Sequence, residues 1–370
     1  MKKILVVILA IVMVFAFAAC SSGGDEPEAS GGDVVKVGFI YIGTTNDGGY
    51  TQAQHEGTMA LEAAMEGQVE CLIVEEVAED KKAVTDAAVN LIDQGCSVII
   101  GTSYGFQDAL IEMATSGDYA DISFLHFSGN ELADNYGNYF GAMEEPRYLS
   151  GVIAGKMTTT NKLGYVAAHP YTEVNIGINA FTLGAQSVNP NVEVDVIYIG
   201  SWYDPANEKL AAERLLEQGC DVITQHADTT GPQIAAVDAG AWTIGYNLDN
   251  SSNPELASAY LTAPIWHHEV FLVPTIQSII DGTWVPEAYY GTMADGYISL
   301  APLTDNVSEE AKAEVDKVQD TIIKGEKKVF TGPIYDNSGT LKVAEGESLD
   351  HDGIWSIDYL VQGVKASNIN

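Results

Sequence analysis

Residues 90–105 read NLIDQGCSVIIGTSYG, and residues 214–229 read RLLEQGCDVITQHADT. The two segments align without a gap, Gly95 on Gly219 and Cys96 on Cys220, a step of 124 positions. Each reads as the end of an amphipathic helix, a glycine that closes it, and a short buried strand. A second pair keeps nearly the same step: KVGFI from Lys36 meets KLGYV from Lys162, 126 positions on. The same unit at the same place in two stretches of chain means that the protein is built from two related halves.

Outward from these segments, apolar runs alternate with helical stretches. KVGFIYIG, ECLIVEEV (70–77), CSVIIGTS (96–103) and ISFLHFSG (122–129) form one set of strands. KLGYVAAH (162–169), VEVDVIYIGSW (192–202), CDVITQHA (220–227) and WTIGYNLD (242–249) form the other. Between them lie helices such as HEGTMALEAAME (55–66) and AAERLLEQG (211–219). Continuous apolar strands of this length belong in parallel sheets covered on both faces. The expected fold is α/β, two Rossmann-like doubly wound domains. Ligands of such sheets gather beyond the carboxyl ends of the strands, so two facing domains share one cleft. A long charged helix, SEEAKAEVDKVQDTIIKGEK (308–327), and the stretch FTGPIYDNSG (330–339) are expected to cross back between the domains.

The chain has 370 residues, enough for two domains, and sets 52 Asp+Glu against 17 Lys+Arg for a formal charge of −35. A surface of that sign repels phosphate backbones and excludes a nucleic-acid polymer as partner. The first residues, MKK followed by ILVVILAIVMVFAFAA, have the basic and apolar regions of an export signal. Phe17-Ala18-Ala19-Cys20 resembles a bacterial lipobox, with Phe17 where Leu is usual. The expectation is a signal peptide over 1–19, lipidation at Cys20, and a small, acidic tether over 20–33. No second stretch is long and apolar enough to span a bilayer. Cys71, Cys96 and Cys220 show neither a CxxC nor zinc spacing and read as core thiols.

The stretch NDGGYTQAQHEG (46–57) tests the enzymatic readings. Asp47 and His55 form an acid and a base, with Thr51 as a nucleophile between them, but no GxSxG elbow supports such a site. His267, His268 and Glu269 are adjacent rather than helically spaced, so no metal site is read there. The paired glycines fit no phosphate-loop pattern. Binding fits better, because aromatic and polar residues recur beyond every strand: Asp47 and Tyr50; Tyr104 and Asp108; His169 and Tyr171; Trp202 and Asp204; His226 and Asp228; Tyr246, Asn247 and Asp249. Rings that stack, beside groups that read a donor–acceptor edge, suit a flat heterocycle. Singly, Asp47, Asp108 and Asp204 read equally well as helix caps. The two glycines are expected to let the backbone approach the ligand closely.

At these residues the chain resembles the basic membrane protein family of substrate-binding lipoproteins of ABC transporters, from about Lys36 to the end. The motifs are YLSGVIAGKMTTTNKLGYVA (148–167), INAFTLGAQSVNP (178–190), SWYDPANEK (201–209), DVITQHAD (221–228), DGTW (281–284) and FTGPIYDNSG (330–339). The resemblance implies the type I periplasmic-binding-protein architecture, two domains joined by a multi-strand hinge. The expected division is 34–142 with about 264–300, and 143–263 with about 301–370. It also implies a purine ligand. The family's Asp-x-x-Phe-Asn loop falls on Asp47 to Thr51, with Tyr50 as the stacking ring, and its Ser-Phe-x-Asp loop puts a second ring at Trp202. Its helix-opening aspartate falls on Asp108, and its Gly-x-Asp-x-Asp stretch covers Asn247 and Asp249. Nucleoside-binding members carry a lysine near the ribose where this chain has Trp266. Loss of that cation favours a free base such as adenine, with a nucleoside as the alternative. The words DGGYxxxxHEG and QHAD also resemble a branch associated with adenine-type ligands. Tyr104, Tyr171 and Asp228 complete the expected contacts. The expected protein is a monomer without cofactor, metal or catalysis, which delivers its ligand to an ABC permease. A sensor of the same fold and, more distantly, a purine-processing hydrolase are the competing readings.

Overall fold

The computed structural model describes residues 34–369. The expected signal peptide, Cys20 and the tether lie outside the described residues. In chain order the first half runs β1 (Val35–Ile40), α1 (Tyr50–Ala64), β2 (Val69–Val74), α2 (Lys81–Asp93), β3 (Cys96–Gly101), α3 (Gln107–Thr115), β4 (Ser123–Phe127) and β5 (Tyr136–Gly141). The second runs α4 (Glu144–Met157), β6 (Lys162–Ala167), α5 (Thr172–Val188), β7 (Glu193–Tyr198), α6 (Pro205–Glu217), β8 (Val222–His226), α7 (Gly231–Ala239) and β9 (Trp242–Thr243). Then follow β10 (Pro264–Trp266), α8 (His268–Ile280), β11 (Ala288–Gly291), β12 (Ile298–Leu300) and α9 (Glu309–Ile323). The chain closes with β13 (Ile334–Tyr335), β14 (Leu341–Val343), α10 (His351–Trp355) and β15 (Val364–Asn368).

Two large sheets result, both parallel throughout, β11-β5-β4-β3-β1-β2 and β15-β7-β6-β8-β9, beside two small antiparallel pairs, β10-β12 and β13-β14. Successive side chains of a strand point to opposite faces, and here each face meets a layer of helices. In the first sheet Val37, Val98 and Leu125 pack with Leu61 of α1 and Phe271 of α8. Their neighbours Ile99 and Phe124 pack instead with Leu91 of α2 and Leu110 of α3. The second sheet repeats the scheme. Tyr165 and Val196 face Phe181 of α5, while Val166 and Ile197 face Ala212 and Leu215 of α6. Burying one such aliphatic side chain contributes about 1.5–3 kcal/mol. Full burial on both faces is why these strands read as unbroken apolar runs.

The duplicated segment folds as a duplicated device. Asp80 caps α2 by accepting from Ala83 N at 3.0 Å, and Asp204 caps α6 by accepting from Asn207 N at 3.0 Å. At the other ends Gly95 and Gly219 take left-handed φ values of +93° and +92°, which a side chain would strain. Beyond them Cys96 and Cys220 are buried thiols and Cys71 is half-buried. Burial pushes the Cys96 thiol up to about 11 and those of Cys71 and Cys220 up to about 12, so none is a reactive thiolate at neutral pH.

Several elements depart from the sequence expectations. WTIGYNLD is a strand only over Trp242–Thr243, and the chain then turns through Asn247 at φ +69°. The strand YGNYFG, β5, was hidden by its glycines and asparagine, β11 by its brevity, and β15 by the polar, exposed sequence of an edge strand. Helix α1 starts at Tyr50 rather than near His55, so its first turn carries the aromatic. The chain returns to the first half through α8, which lies against α1, and to the second through α9, which lies against α4.

Candidate ligand-binding cleft

The carboxyl ends of both sheets converge on one cavity. From the first half come Tyr50, Ser103, Tyr104 and Phe127; from the second, Glu173, Trp202, His226, Asp228 and Tyr246, with the buried Trp266 of β10 beside them. Tyr50 is aimed by its hydroxyl, which donates to the Thr102 carbonyl. Its ring lies 6.1 Å from Phe127, and Phe127 in turn meets the Trp266 ring edge-on at 5.0 Å. Trp266 is held twice, by stacking on His268 at 5.7 Å and by donating from Nε1 to Asn247 Oδ1 at 2.9 Å.

The opposite wall combines rings with ionisable groups. Trp202 stands edge-on to His169 at 5.3 Å, and His169 stacks on Tyr171 at 4.8 Å. Behind them His226 meets the Tyr246 ring at 4.6 Å and lies 3.5 Å from the Glu173 carboxylate. Burial lowers the His226 pKa against the pull of Glu173. Tyr246 is fixed from behind by Arg147, whose guanidinium carbon sits 3.6 Å from the ring centroid while Nη1 donates to Gln225 O at 2.8 Å. Arg147, fully buried on α4, thus braces the main cavity and lines a small inner one that shares Glu173, His226 and Tyr246 with it. Asp228 is buried, and burial followed by the nearby acids Glu208, Asp47, Glu173 and Glu79 raises its pKa well above the usual carboxylate range.

The structure gathers some of the expected site residues and separates others. Tyr50, Tyr104, Trp202, Asp228 and Trp266 share the cavity. Asp47 lines an adjoining opening with His169 and Asp228, but its oxygens accept from Gly49, Thr51 and Gln52 N at 2.8–3.0 Å and so cap α1. Tyr171 is 52% exposed and lines a wider outer groove. Asn247 stands behind Trp266, its carbonyl used on the indole. Asp249 accepts from Ser251 N at 2.9 Å in a turn. Asp108 is exposed in the first turn of α3 and lines no described cavity. The paired glycines act differently from the expectation: the close approach at Gly49 is to the other half. A methyl group there would sit 2.2 Å from the Asp228 carbonyl oxygen, and the neighbouring Gly48 carbonyl accepts from Asn250 Nδ2 at 3.1 Å.

Glu173, Phe127 and Arg147 were not singled out in the sequence. Glu173 sits in the first turn of α5, where an acid reads as a partner of the helix dipole. Phe127 ends an apolar strand and reads as core. Arg147 gave the one usable signal, a lone cation entering the apolar run YLSGVIAG. No lysine or arginine lines the cavity, its adjoining opening or the outer groove among the described residues. With Arg147 in the inner cavity as its one cation among the described residues, set against Glu173 and Asp228, the cleft disfavours phosphorylated ligands.

A family model described as ABC transporter substrate-binding protein, PnrA-like, matches residues 34–331. The chain is 35% identical over 331 residues to a purine-binding protein of Brucella abortus, covering 89% of this chain and 93% of that one. It is 36% identical over 318 residues to a putative ABC transporter glucose-binding protein of Haloferax volcanii, covering 85% and 78%. Among solved structures, an ABC transporter solute-binding protein of Conexibacter woesei superposes with a TM-score of 0.67 at 22% identity, covering 80% of this chain and 98% of that one. At that identity the likeness speaks for the fold alone.

Proposed function

The chain belongs to the Bmp family of PnrA-like ABC transporter substrate-binding proteins, and on that premise we propose that it captures a purine base and hands it to an ABC permease. The observation that carries this reading is the cavity itself. Flat aromatic faces, Tyr50 on one side and Trp202 on the other, enclose a wall of carboxyl and imidazole groups with no cation. Base-on-ring stacking is worth about 1–3 kcal/mol per base, and the polar wall reads the edge of the ring system. Tyr104 covers the mouth, the buried Trp266 lies beside the rings, and Asp47 and Asn247 hold the two lips in shape.

In this account residues 34–142 with about 264–300 form one rigid body, and 143–263 with about 301–370 the other. They hinge apart to admit the ligand and shut on it. Cys20 carries the lipid that keeps this monomeric receptor at the outer face of the membrane, and no bond in the ligand is made or broken.

The relatives' names divide between purine and glucose, and rings beside carboxyls also suit a sugar. A thermal-shift screen separates the classes, because a ligand of the folded state alone raises the melting temperature. Adenine, guanine and hypoxanthine are expected to raise it more than their nucleosides and far more than glucose. A rise with glucose and none with any purine would replace this reading with a sugar receptor.

A further inference from the structure

We propose that Asp228 binds its ligand as a neutral carboxylic acid, donating from O–H to a ring nitrogen and accepting at C=O from the adjacent exocyclic amino group. The cleft then selects heterocycles that show an acceptor beside a donor, the edge of a 6-aminopurine. It turns away those that show two donors, the edge of a 2-amino-6-oxopurine. This inference rests on the purine reading and narrows it.

The placement of Asp228 carries the argument. It lies two residues beyond β8, is 6% exposed, and lines both the aromatic cavity and its adjoining opening. Its backbone is fixed, with N donating to Trp202 O at 3.1 Å and the carbonyl abutting Gly49. Its carboxyl has no hydrogen-bond donor and no cation among the described residues. Every acid that faces it is of the sign that opposes ionisation: Glu208 from α6, Asp47 from the loop after β1, Glu173 from α5, and Glu79 from the loop before α2. Two histidines stand near. His226 is engaged with Glu173, His169 lines the opening, and burial lowers the pKa of both. Arg147 is turned onto Tyr246 and Gln225.

Burial raises the pKa of Glu208 as well, but Glu208 has the donors that Asp228 lacks. Its oxygens accept from Asp204 N at 3.0 Å, Thr229 N at 3.0 Å and Thr229 Oγ1 at 2.8 Å. Three donors stabilise an ionised carboxylate, and Asp228 has none. An ionised Asp228 would have four acids about it and neither a donor nor a cation among the described residues, whereas the protonated form offers one donor and one acceptor side by side. An amidine edge, ring nitrogen beside amino group, is complementary to that pair. A donor–donor edge requires the ionised form.

The test is calorimetric titration of the full protein with adenine and guanine from about pH 6 to about pH 9, alongside Asp228→Asn and Asp228→Ala. Adenine is expected to bind at least tenfold tighter than guanine at neutral pH, and its Kd to rise about tenfold per pH unit once the acid ionises. Asp228→Asn presents an amide donor and acceptor in the same places, so its adenine affinity should fall by no more than about tenfold and lose its pH dependence. Asp228→Ala should fall by about a hundredfold or more. If it fails to fold, as a melting curve would reveal, Asp228→Asn decides alone. Loss of adenine binding in Asp228→Asn, or guanine preferred with affinity growing as pH rises, would show an ionised carboxylate and overturn the proposal while leaving the purine reading intact. Failure of adenine, guanine and hypoxanthine to bind at any pH would overturn both.

Discussion

Lys36 and Lys162 do the same thing in the two halves. Each Nζ donates to the carbonyl just before a closing glycine, Gln94 O at 3.2 Å and Gln218 O at 3.0 Å. Seven residues past those glycines the correspondence breaks down. Thr102 and Tyr104 of the first half stand where the second has His226 and Asp228. Thr102 spends its hydroxyl on Ile40 O at 2.9 Å and its carbonyl on Tyr50, and Tyr104 is exposed. His226 and Asp228 are buried in the cavity wall. The ends of the strands that face away from the cleft answer only to the fold, so one solution serves both halves. The ends that face the cleft are free of that constraint, and they have become an aromatic lip on one side and an acidic wall on the other.

The largest expected effect concerns the histidines buried on the first-half side. His126, whose Nε2 donates to Ser103 O at 2.7 Å, is held down to about 4 by burial, and His268 to about 3. Both lie below the unfolded value of about 6.5, so the unfolded chain takes up protons before the folded one. The stability they contribute is fully present above that value and is lost as pH falls toward 4 and then 3. At about pH 5 the loss should be about 2 kcal/mol for each histidine relative to pH 8. Burial raises the pKa of Glu144 and Asp228, whose contribution to stability therefore grows over the same fall in pH. The measurement is accordingly urea unfolding of the parent beside His126→Gln and His268→Gln at both pH values. A pH dependence left unchanged by both substitutions would mean that these rings are not held neutral.

Next in size is the contact between the unlike ends. Gly49→Ala places its methyl group against the Asp228 carbonyl and should keep the halves from meeting. Affinity for the ligand should fall about a hundredfold, roughly 3 kcal/mol, with the melting temperature of the unliganded protein little changed. Full affinity in calorimetry would mean that the ligand-bound form does not use this contact. Trp202→Ala removes one face of the second-half wall and should cost about 1–3 kcal/mol, or roughly 5- to 150-fold in Kd. A Trp202→Ala protein that binds like the parent would take that ring out of the site.

What the sequence revealed follows the same divide. The closing glycines and the doubly buried strands are local devices with fixed spacing, so the fold was legible from 90–105 and 214–229. The cleft was legible as a set of strand ends, and Tyr50, Trp202, Asp228 and Trp266 were found there. Individual roles were not, because they depend on partners far away in the chain. Asp47 and Asp108 look alike before their helices, yet one caps α1 beside the opening and the other faces solvent. Nothing near Asn247 announces that it orients Trp266, nineteen residues on. Gly49 reads as room for a ligand against the backbone until the other half is packed against it.

The smallest effect is the sharpest measure of likeness. Gly95→Ala and Gly219→Ala each force a side chain into a left-handed turn, at φ +93° and +92°. Around both positions the surroundings match, since an added methyl group would meet only the Cδ of Lys36 at 3.8 Å or of Lys162 at 3.9 Å. The cost is therefore backbone strain alone, about 1 kcal/mol in each case, and ligand affinity should not change. Equal losses in urea unfolding would show that the two halves still share one energetic solution at this end. A loss confined to one glycine would show that the likeness there is of shape and not of stability, because two turns with the same φ and the same neighbours differ only in how firmly the rest of their half holds them.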